Sequence, residues 1–406
     1  MSWLKKLIIN VIACLLLAFT TTALAGFWQY SIVMGIDSKE ANVYLFRYYT
    51  GLNLPSIERL VTTSAKLNLL NNQVDTNGQD IIDSLFKEPV AALKNEGADP
   101  AMVPVNILIS ADVQILGGSK EVSEILKNRY ALNTVQTRTI SIQEKSAYDW
   151  LSVNYLADNF KNGKDTVGTI DVGDNSLGIA FATKEKQSST VATFLINGQT
   201  YFVNSDSVFG LGLEAARKSV MPDMKDAAVA VCYPPGFPYV WPTRFMYVFQ
   251  PGGKYGNFNY QACNGLYAKL LNRLLPKKDP LLSSQKFIVF GGAYDVFHFF
   301  EPEAESLNQE ALKADIIKAC NMQYTLETLW HLWPSLGTKN ELAANYPNYI
   351  ENMCANAVYV DELLFGQNGY LLQDEQLDIK NSIHNEPINW LLGALLYQLI
   401  QSPAPS

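Results

Sequence analysis

The stretch TVGTIDVGDNSLGIAFAT, residues 166–183, contains the residues whose types and spacing most strongly suggest chemistry. Two β-rich runs flank a short polar segment, which is typical of two strands joined by a tight turn. Asp171 and Gly173 lie at the turn, where some enzymes hold a nucleotide phosphate and where glycine lets backbone N–H groups approach it. The next residue, Asp174, would push an anion away. The stretch therefore has the spacing of a phosphate-binding turn but not its charge.

A second strand–turn–strand unit lies near the start of the chain. WQYSIVMG, beginning at residue 28, and NVYLFRYY, beginning at residue 42, are β-rich and are joined by IDSKEA. Each of the two units is followed by predicted helices and a further strand. Two such hairpins can hold the phosphates of a nucleotide between two lobes. Two unrelated hairpins in an α/β protein are the alternative.

The elements that must position these hairpins alternate along the chain. Apolar spacing predicts a helix in IERLVTTSAKLNLL, capped by Ser56, and a strongly apolar helix at 388–400. Asn197-Gly198 predicts a third hairpin. FIVFGGAYDVFHFF is predicted to be β-rich, with His298 as a buried strand residue. The alternation indicates an α/β fold.

Composition excludes several classes of function. The chain has 406 residues, enough for two to three domains or one two-lobed fold, and a net charge of −8. This acidic balance argues against a nucleic-acid surface. With three histidines and no C-x-x-C arrangement, a histidine-rich or zinc site is also disfavoured.

The first 25 residues have the layout of a secretory signal peptide. MSWLKK supplies a basic segment, LIINVIACLLLAF an apolar one, and Ala23-Leu24-Ala25 a small-residue cleavage site. The prediction is a secreted or periplasmic protein. An uncleaved anchor is the alternative, although the apolar run is shorter than the roughly 20 residues of a membrane span. No later segment predicts a span.

Four cysteines remain after the signal peptide, an even number that suggests two disulfides in an exported protein. Four cysteines allow three pairings. The nearest-neighbour pairing closes the shortest loops and is the one expected: Cys232–Cys263 and Cys320–Cys354.

Several segments together resemble the apyrases, or ecto-nucleoside triphosphate diphosphohydrolases. SAYDWLSVNYLADNF is similar to the family's Glu-Gly-x-Tyr-x-Trp segment, and TIDVGDNSLGIAF to its Asp-Leu-Gly-Gly-Ala-Ser-Thr-Gln hairpin. FVNSDSVFGLGLEAARK and INWLLGALLY resemble two later segments, and the cysteines stand where two family disulfides would. The likeness covers nearly the whole chain after the signal peptide.

The resemblance implies a two-lobed actin-like, ribonuclease H-like α/β fold with a cleft between the lobes. Lobe I is expected at 27–155, with the C-terminal helix 385–406 returning to it, and lobe II at 156–384. The family hydrolyses nucleoside tri- and diphosphates with a divalent cation, here Mg²⁺, Ca²⁺ or Mn²⁺ if the protein is active.

The first family motif, Asp-Ala-Gly-Ser-[Ser/Thr]-Gly-[Ser/Thr]-Arg, falls without gaps on residues 35–42. Gly35 then replaces the metal-shell aspartate and Asn42 the arginine, while Ser38 is retained. Sliding the motif by two residues would bring Asp37 to the aspartate position but loses the agreement between strands.

The remaining motifs also differ from the family's pattern at their glycine, arginine or base positions. The second, Ala-Thr-Ala-Gly-x-Arg, falls on 109–114, with Asp112 at the glycine and Gln114 at the arginine. In the third, the glutamate expected to act as base falls on Lys145, and Glu144 lies one position earlier, about 100° around a helix. The fourth retains Asp171, Gly173 and Ser176 but has Asp174 for its second glycine and Gly178 for its glutamine.

Carboxylates therefore occupy four positions where the family has a phosphate-facing glycine: Asp37, Glu40, Asp112 and Asp174. The first hypothesis is an exported apyrase-fold protein in which ordinary nucleotide hydrolysis is doubtful. The second is an active, divergent, metal-dependent nucleoside phosphohydrolase. The third is an unrelated exported binding protein.

In the active case the resemblance implies a role for each candidate residue. Asp171 would hold metal-bound water, Glu144 would be the base, and Asp37 and Asp174 would be further metal ligands. The phosphate-loop residues would be Ser38, Ser110, Gly173 and Ser176.

Overall fold

The computed structural model describes residues 28–37, 40–51, 54–66, 77–111, 119–161, 164–187, 190–205, 207–225, 230–235, 241–242, 247–248, 256–276, 279–302, 307–322 and 347–401. The predicted signal peptide and three of the residues discussed above, Ser38, Asp112 and Gln114, lie outside these ranges.

The first sheet has five strands in the order β3-β2-β1-β4-β5. Its strands are β1 Gln29–Ile36, β2 Glu40–Tyr49, β3 Ser56–Lys66, β4 Pro104–Ser110 and β5 Thr134–Ile140, and helices α1 Asn77–Asn95 and α2 Ser119–Tyr130 lie between them in sequence. β1 is antiparallel to β2 and parallel to β4.

The second sheet repeats this arrangement. Its strands are β6 Gly168–Val172, β7 Ser176–Thr183, β8 Thr190–Ile196, β9 Gln199–Ser205, β10 Val208–Phe209, β13 Phe287–Gly291 and β14 Leu377–Ile379, in the order β14-β13-β6-β7-β9-β8 with β10 on β7. β6 is antiparallel to β7 and parallel to β13. In both sheets a hairpin contributes its first strand to a parallel pair with a strand much later in the sequence. The predicted α/β class and the predicted pair of similar units are confirmed.

The remaining helices are α3 Ile142–Leu156, α4 Leu213–Lys225, α5 Tyr260–Leu274, α6 Gly292–Phe300, α7 Gln309–Cys320, α8 Pro347–Phe365 and α9 Trp390–Gln401. Short strands are β11 Trp241–Pro242, β12 Tyr247–Val248, β15 Ser382–Ile383 and β16 Glu386–Pro387. No helix in the described part of the chain is both long and apolar enough to cross a membrane.

Packing divides the chain into two units, one of 1–109, 115–138 and 398–406, the other of 110–114 and 139–397. The lobe boundaries expected from the resemblance stay a prediction. In the second unit a large core includes residues of β6, β7, β13 and α8, and it contains both disulfides, Cys232–Cys263 and Cys320–Cys354. This is the nearest-neighbour pairing.

Two local predictions are wrong. Ser56 begins strand β3, not a helix, since residues 56–66 alternate between more and less exposed positions and pair along β2. His298 is an exposed residue of helix α6, not a buried strand residue. The strand ends at Gly291, whose φ of 67° lies in the left-handed region, and the apolar residues that follow have helical spacing.

Candidate functional site

The turn between β6 and β7 is a four-residue turn. The last strand pair is Val172 with Leu177, and the N–H of Gly173 donates to the carbonyl of Ser176 at 3.1 Å. None of residues 173–176 has a positive φ. An aspartate at position 174 therefore fits this turn without backbone strain, which explains how the glycine could be replaced.

The turn between β1 and β2 has the same construction. Its last strand pair is Ile36 with Ala41, and the N–H of Asp37 donates to the carbonyl of Glu40 at 2.9 Å. The side chain of Asn42, at the position of the family's arginine, donates to the Glu40 carboxylate at 2.9 Å. The Glu40 carboxylate is thus hydrogen-bonded to Asn42, the residue at the position of the family's arginine.

The two hairpins can be compared position by position. Gly35 pairs with Asn42 as Asp171 pairs with Gly178, so Gly35 corresponds to Asp171 and Asp37 to Gly173. This correspondence supports the ungapped alignment over the one shifted by two residues. The first hairpin has no carboxylate at the position that Asp171 occupies in the second.

The backbone of the β6–β7 turn is fixed by the start of helix α4. The N–H of Leu213 donates to the carbonyl of Gly173 at 2.8 Å, and those of Glu214 and Ala215 donate to the carbonyl of Asp174 at 3.0 and 3.1 Å. A Cβ at Gly212 would lie 2.4 Å from the Asp174 backbone, so the close approach requires glycine. Amides in the first turn of a helix commonly bind anions. Here those amides already donate hydrogen bonds to carbonyl groups of the turn.

Asp171 is enclosed by glycines and pairs with a lysine. A Cβ at Gly291 would lie 2.6 Å from its Oδ1, and a Cβ at Gly178 would lie 3.6 Å from its Cβ. Its Oδ2 accepts a hydrogen bond from Lys145 Nζ at 3.0 Å, with the two side chains only 14% and 8% exposed, respectively. The carboxylate retained from the family motif is therefore held in a mostly buried ion pair.

The start of helix α3 directs Glu144 and Lys145 differently. Ser141 caps the helix: its hydroxyl accepts from the N–H of Glu144 at 3.1 Å, and the Glu144 carboxylate accepts from the N–H of Ser141 at 3.0 Å. This capping box uses Glu144 at the helix terminus, where the helix dipole favours a negative charge. Lys145, one residue later, extends to Asp171 instead.

The next residue, Ser146, also makes contacts at the start of α3. Its hydroxyl donates to the carbonyl of Ile142 at 3.0 Å and lies 2.5 Å from the hydroxyl of Ser207, which in turn lies 2.7 Å from that of Ser205. A Cβ at Gly178 would lie 2.6 Å from the Ser146 hydroxyl. A serine at 146 and a glycine at 178 therefore fit together, whereas a larger residue at 178 would collide with the serine.

Neither candidate phosphate-loop serine in the described residues is accessible. Ser110, at the end of β4, is 0% exposed, and its hydroxyl has no hydrogen-bond partner among the described residues. Ser176 is 7% exposed. The structure brings Asp171, Gly173, Asp174 and Ser176 together in one hairpin, next to Lys145.

The residues around Asp171 do not fit the divalent cation that the resemblance implies. Ca²⁺ and Mg²⁺ take about six to eight oxygen ligands, with carboxylates prominent among them. Here an ammonium group contacts the retained carboxylate, and the described residues contain no group of three or more His, Cys, Asp or Glu side chains able to hold a metal.

Sequence reasoning missed the Lys145–Asp171 contact. Two features of the sequence pointed to it: the resemblance aligns Lys145 with the family's base, and it aligns Asp171 with the aspartate of the fourth motif. Their meaning as a pair depends on how α3 packs against β6 and β7, which the sequence alone does not specify.

Comparisons with known proteins agree with this architecture. Probable apyrase 2 of Oryza sativa subsp. japonica is 25% identical over 218 residues, a match that spans 48% of this chain and 46% of that protein. Ectonucleoside triphosphate diphosphohydrolase 3 of Mus musculus is 22% identical over 436 residues, covering 93% of this chain and 79% of that protein.

A solved structure of nucleoside triphosphate hydrolases from Neospora caninum aligns with a TM-score of 0.65 at 13% identity, covering 96% of each chain. That likeness and the two repeated sheets confirm the predicted actin-like α/β fold. A family model described as GDA1/CD39 (nucleoside phosphatase) matches residues 104–405. The family model covers most of the chain, and this protein therefore belongs to the GDA1/CD39 (nucleoside phosphatase) family.

Proposed function

We propose that this protein is an exported member of the nucleoside phosphatase family that does not hydrolyse nucleoside tri- and diphosphates by the metal-dependent route. The observation that supports this most directly is the ion pair between Lys145 and Asp171, 3.0 Å long and mostly buried. It places the Lys145 amino group beside the carboxylate that would hold metal-bound water.

The ion pair disfavours catalysis in two ways. A metal bound to Asp171 would have to displace the Lys145 ammonium from a mostly buried pair and leave that 8% exposed side chain away from its carboxylate. In addition, a protonated ammonium at the position of the family's base cannot accept a proton from the attacking water. Glu144 is adjacent in sequence, but its carboxylate accepts the N–H of Ser141 in the capping box.

The chemistry of the turn also disfavours an anionic ligand. Asp174 adds a negative charge, which at about 4 Å repels another by roughly 1 kcal/mol in water and about 4 kcal/mol at an effective dielectric of 20. Micromolar binding amounts to only about −8 kcal/mol, so a few such contacts offset much of it. The first-turn amides of α4, which could have countered this charge, already donate to the carbonyls of Gly173 and Asp174.

A second candidate function is a working, divergent hydrolase. The retained Asp171, Gly173 and Ser176 in a four-residue turn favour it. It would require Glu144 to leave its capping box and act as base, and a divalent cation to displace Lys145. The family assignment overturns the third hypothesis, an unrelated binding protein.

The proposal includes export to a secreted or periplasmic location. The predicted signal peptide at 1–25 supports it, as do the two disulfides, because disulfides persist in oxidising compartments. A nucleoside phosphate is the partner class that the family suggests. The acidic composition gives no support to a nucleic-acid partner.

Phosphate release tests the proposal. Purified residues 26–406 would be incubated with ATP or ADP and Mg²⁺, Ca²⁺ or Mn²⁺, beside an Asp171→Ala variant prepared identically. We expect the same background release from both proteins. Turnover by the wild type that Asp171→Ala abolishes would overturn the proposal.

A further inference from the structure

We infer that the Lys145 ammonium takes the place of a divalent cation at Asp171, so that the protein maintains this site without metal and Lys145→Glu turns it into a metal-binding one. The inference deepens the proposed function and rests on it. It concerns what replaced the metal, and it is measured without any catalytic readout.

The first step of the argument is charge. A mostly buried carboxylate needs a compensating positive charge or several hydrogen bonds, because an isolated buried charge is very costly. Asp171 lies close against the backbone of Gly291 and is only 14% exposed. Lys145 Nζ at 3.0 Å supplies the compensating charge on Oδ2. A cation coordinated by that oxygen would have to displace it.

The second step is the packing of the residues beside Lys145. Residues 145 and 146, at the start of α3, both make contacts outside that helix: Lys145 pairs with Asp171, and the Ser146 hydroxyl lies 2.5 Å from that of Ser207. Gly178 supplies the space for this serine. Gly178 also pairs with Asp171 across the hairpin, so positions 146, 171 and 178 form one packed arrangement beside Lys145.

The third step is the effect of reversing the charge at position 145. In Lys145→Glu two carboxylates would face each other where an ion pair stood, and like charges that close repel. Clustered carboxylate oxygens are the ligands that hard cations favour. The variant should therefore be destabilised in a chelator and recover when Mn²⁺ or Ca²⁺ is supplied.

The test compares thermal unfolding and Mn²⁺ binding, measured by electron paramagnetic resonance, in the wild type, Lys145→Glu and Lys145→Gln. Lys161→Glu is the matched control, since Lys161 pairs with Asp158 at 2.7 Å at the surface, where its side chain is 57% exposed. We expect the wild-type Tm to be the same in EDTA and in Mn²⁺. For Lys145→Glu we expect a Tm lower by roughly 5 °C or more in EDTA, recovery in Mn²⁺, and binding of one Mn²⁺ that Asp171→Asn removes.

Two results would overturn the inference. One is a wild-type Tm that rises with Mn²⁺ and loses this response in Asp171→Asn. The other is a folded Lys145→Glu whose Mn²⁺ response does not exceed that of Lys161→Glu.

If Lys145→Glu folds neither in EDTA nor in Mn²⁺, the Lys145→Gln variant tests the inference in its place. It leaves Asp171 without its cation and should gain a weaker Mn²⁺ response, so a folded Lys145→Gln with none contradicts the inference. Nucleotide turnover by the wild type refutes the proposed function, whereas a wild-type Mn²⁺ response without turnover refutes only this inference.

Discussion

Replacing Lys145 with methionine should destabilise the second unit strongly. Methionine keeps most of the length of the side chain but removes the ammonium, which leaves the Asp171 carboxylate mostly buried without its cation. Because the two side chains are only 8% and 14% exposed, solvent screens the pair weakly. The expected loss in the free energy of unfolding is about 3–5 kcal/mol, the usual cost of removing one partner of a buried pair.

A double-mutant cycle measures the coupling. Lys145→Met, Asp171→Asn and the double variant would be unfolded in urea at pH 7, and the double variant should be less destabilised than the sum of the single variants by about 2–3 kcal/mol. Lys161→Met with Asp158→Asn is the matched exposed pair, for which the coupling should be at most about 0.5 kcal/mol. Because the buried pair is shielded from solvent, its coupling should persist at high salt while the exposed one fades. Equal coupling energies for the two pairs would refute the reasoning.

Three further predictions follow from the same structure. Gly178→Gln should lower the free energy of unfolding by about 1–3 kcal/mol through overpacking against Ser146, and Ser146→Gly should restore most of it in the double variant; urea unfolding without this rescue would show that the two positions are not coupled. Burial raises the pKa of Asp361, so the folded state holds this proton more tightly than the unfolded state, and the stabilising contribution present below about pH 4 is lost as pH rises through the raised pKa. Asp361→Asn should thus gain stability relative to the wild type as pH rises through that window, and urea midpoints at several pH values that keep a constant difference would contradict this. Removing the disulfide that joins Cys320 and Cys354, 34 residues apart, should cost about 2–5 kcal/mol, and an unchanged calorimetric Tm of the double serine variant would contradict this.

Local signals accounted for most of the fold. Asn197-Gly198 predicted a hairpin turn, and the structure has β8 and β9 on either side of it. The helix predicted after Ser56 was wrong because that segment contains residues at helical spacing as well as β-branched residues, which favour a strand. Pairing along β2 decided for a strand, and such pairing is a tertiary effect that outweighs local propensity. His298 misled because a continuous apolar run does not distinguish a strand from a short buried helix.

The sequence predicted the hairpin that carries the candidate residues but not their contacts. The hairpin with Asp171 was predicted from the sequence, and the resemblance placed Asp174 at a family glycine and Lys145 at the family's base. Lys145 and Asp171 are 26 residues apart, and their contact depends on the capping box that starts α3 and on the packing of that helix against β6 and β7. The use of the α4 amides by the turn carbonyls is likewise a long-range backbone contact, for which no side-chain pattern exists.

Different atoms maintain the shape of the β6–β7 turn and the charges around it. Backbone atoms set the shape: the hydrogen bond from Gly173 to Ser176, the carbonyls seated on the start of α4, and the strand pairing at Asp171. Side chains set the charge: Asp174 lies in the turn, and Lys145 pairs with Asp171. Replacing a side chain at a position without positive φ leaves the backbone contacts intact. A turn of the right length in this family therefore indicates the fold, and only the charges around it indicate whether a metal and a polyphosphate can be accommodated.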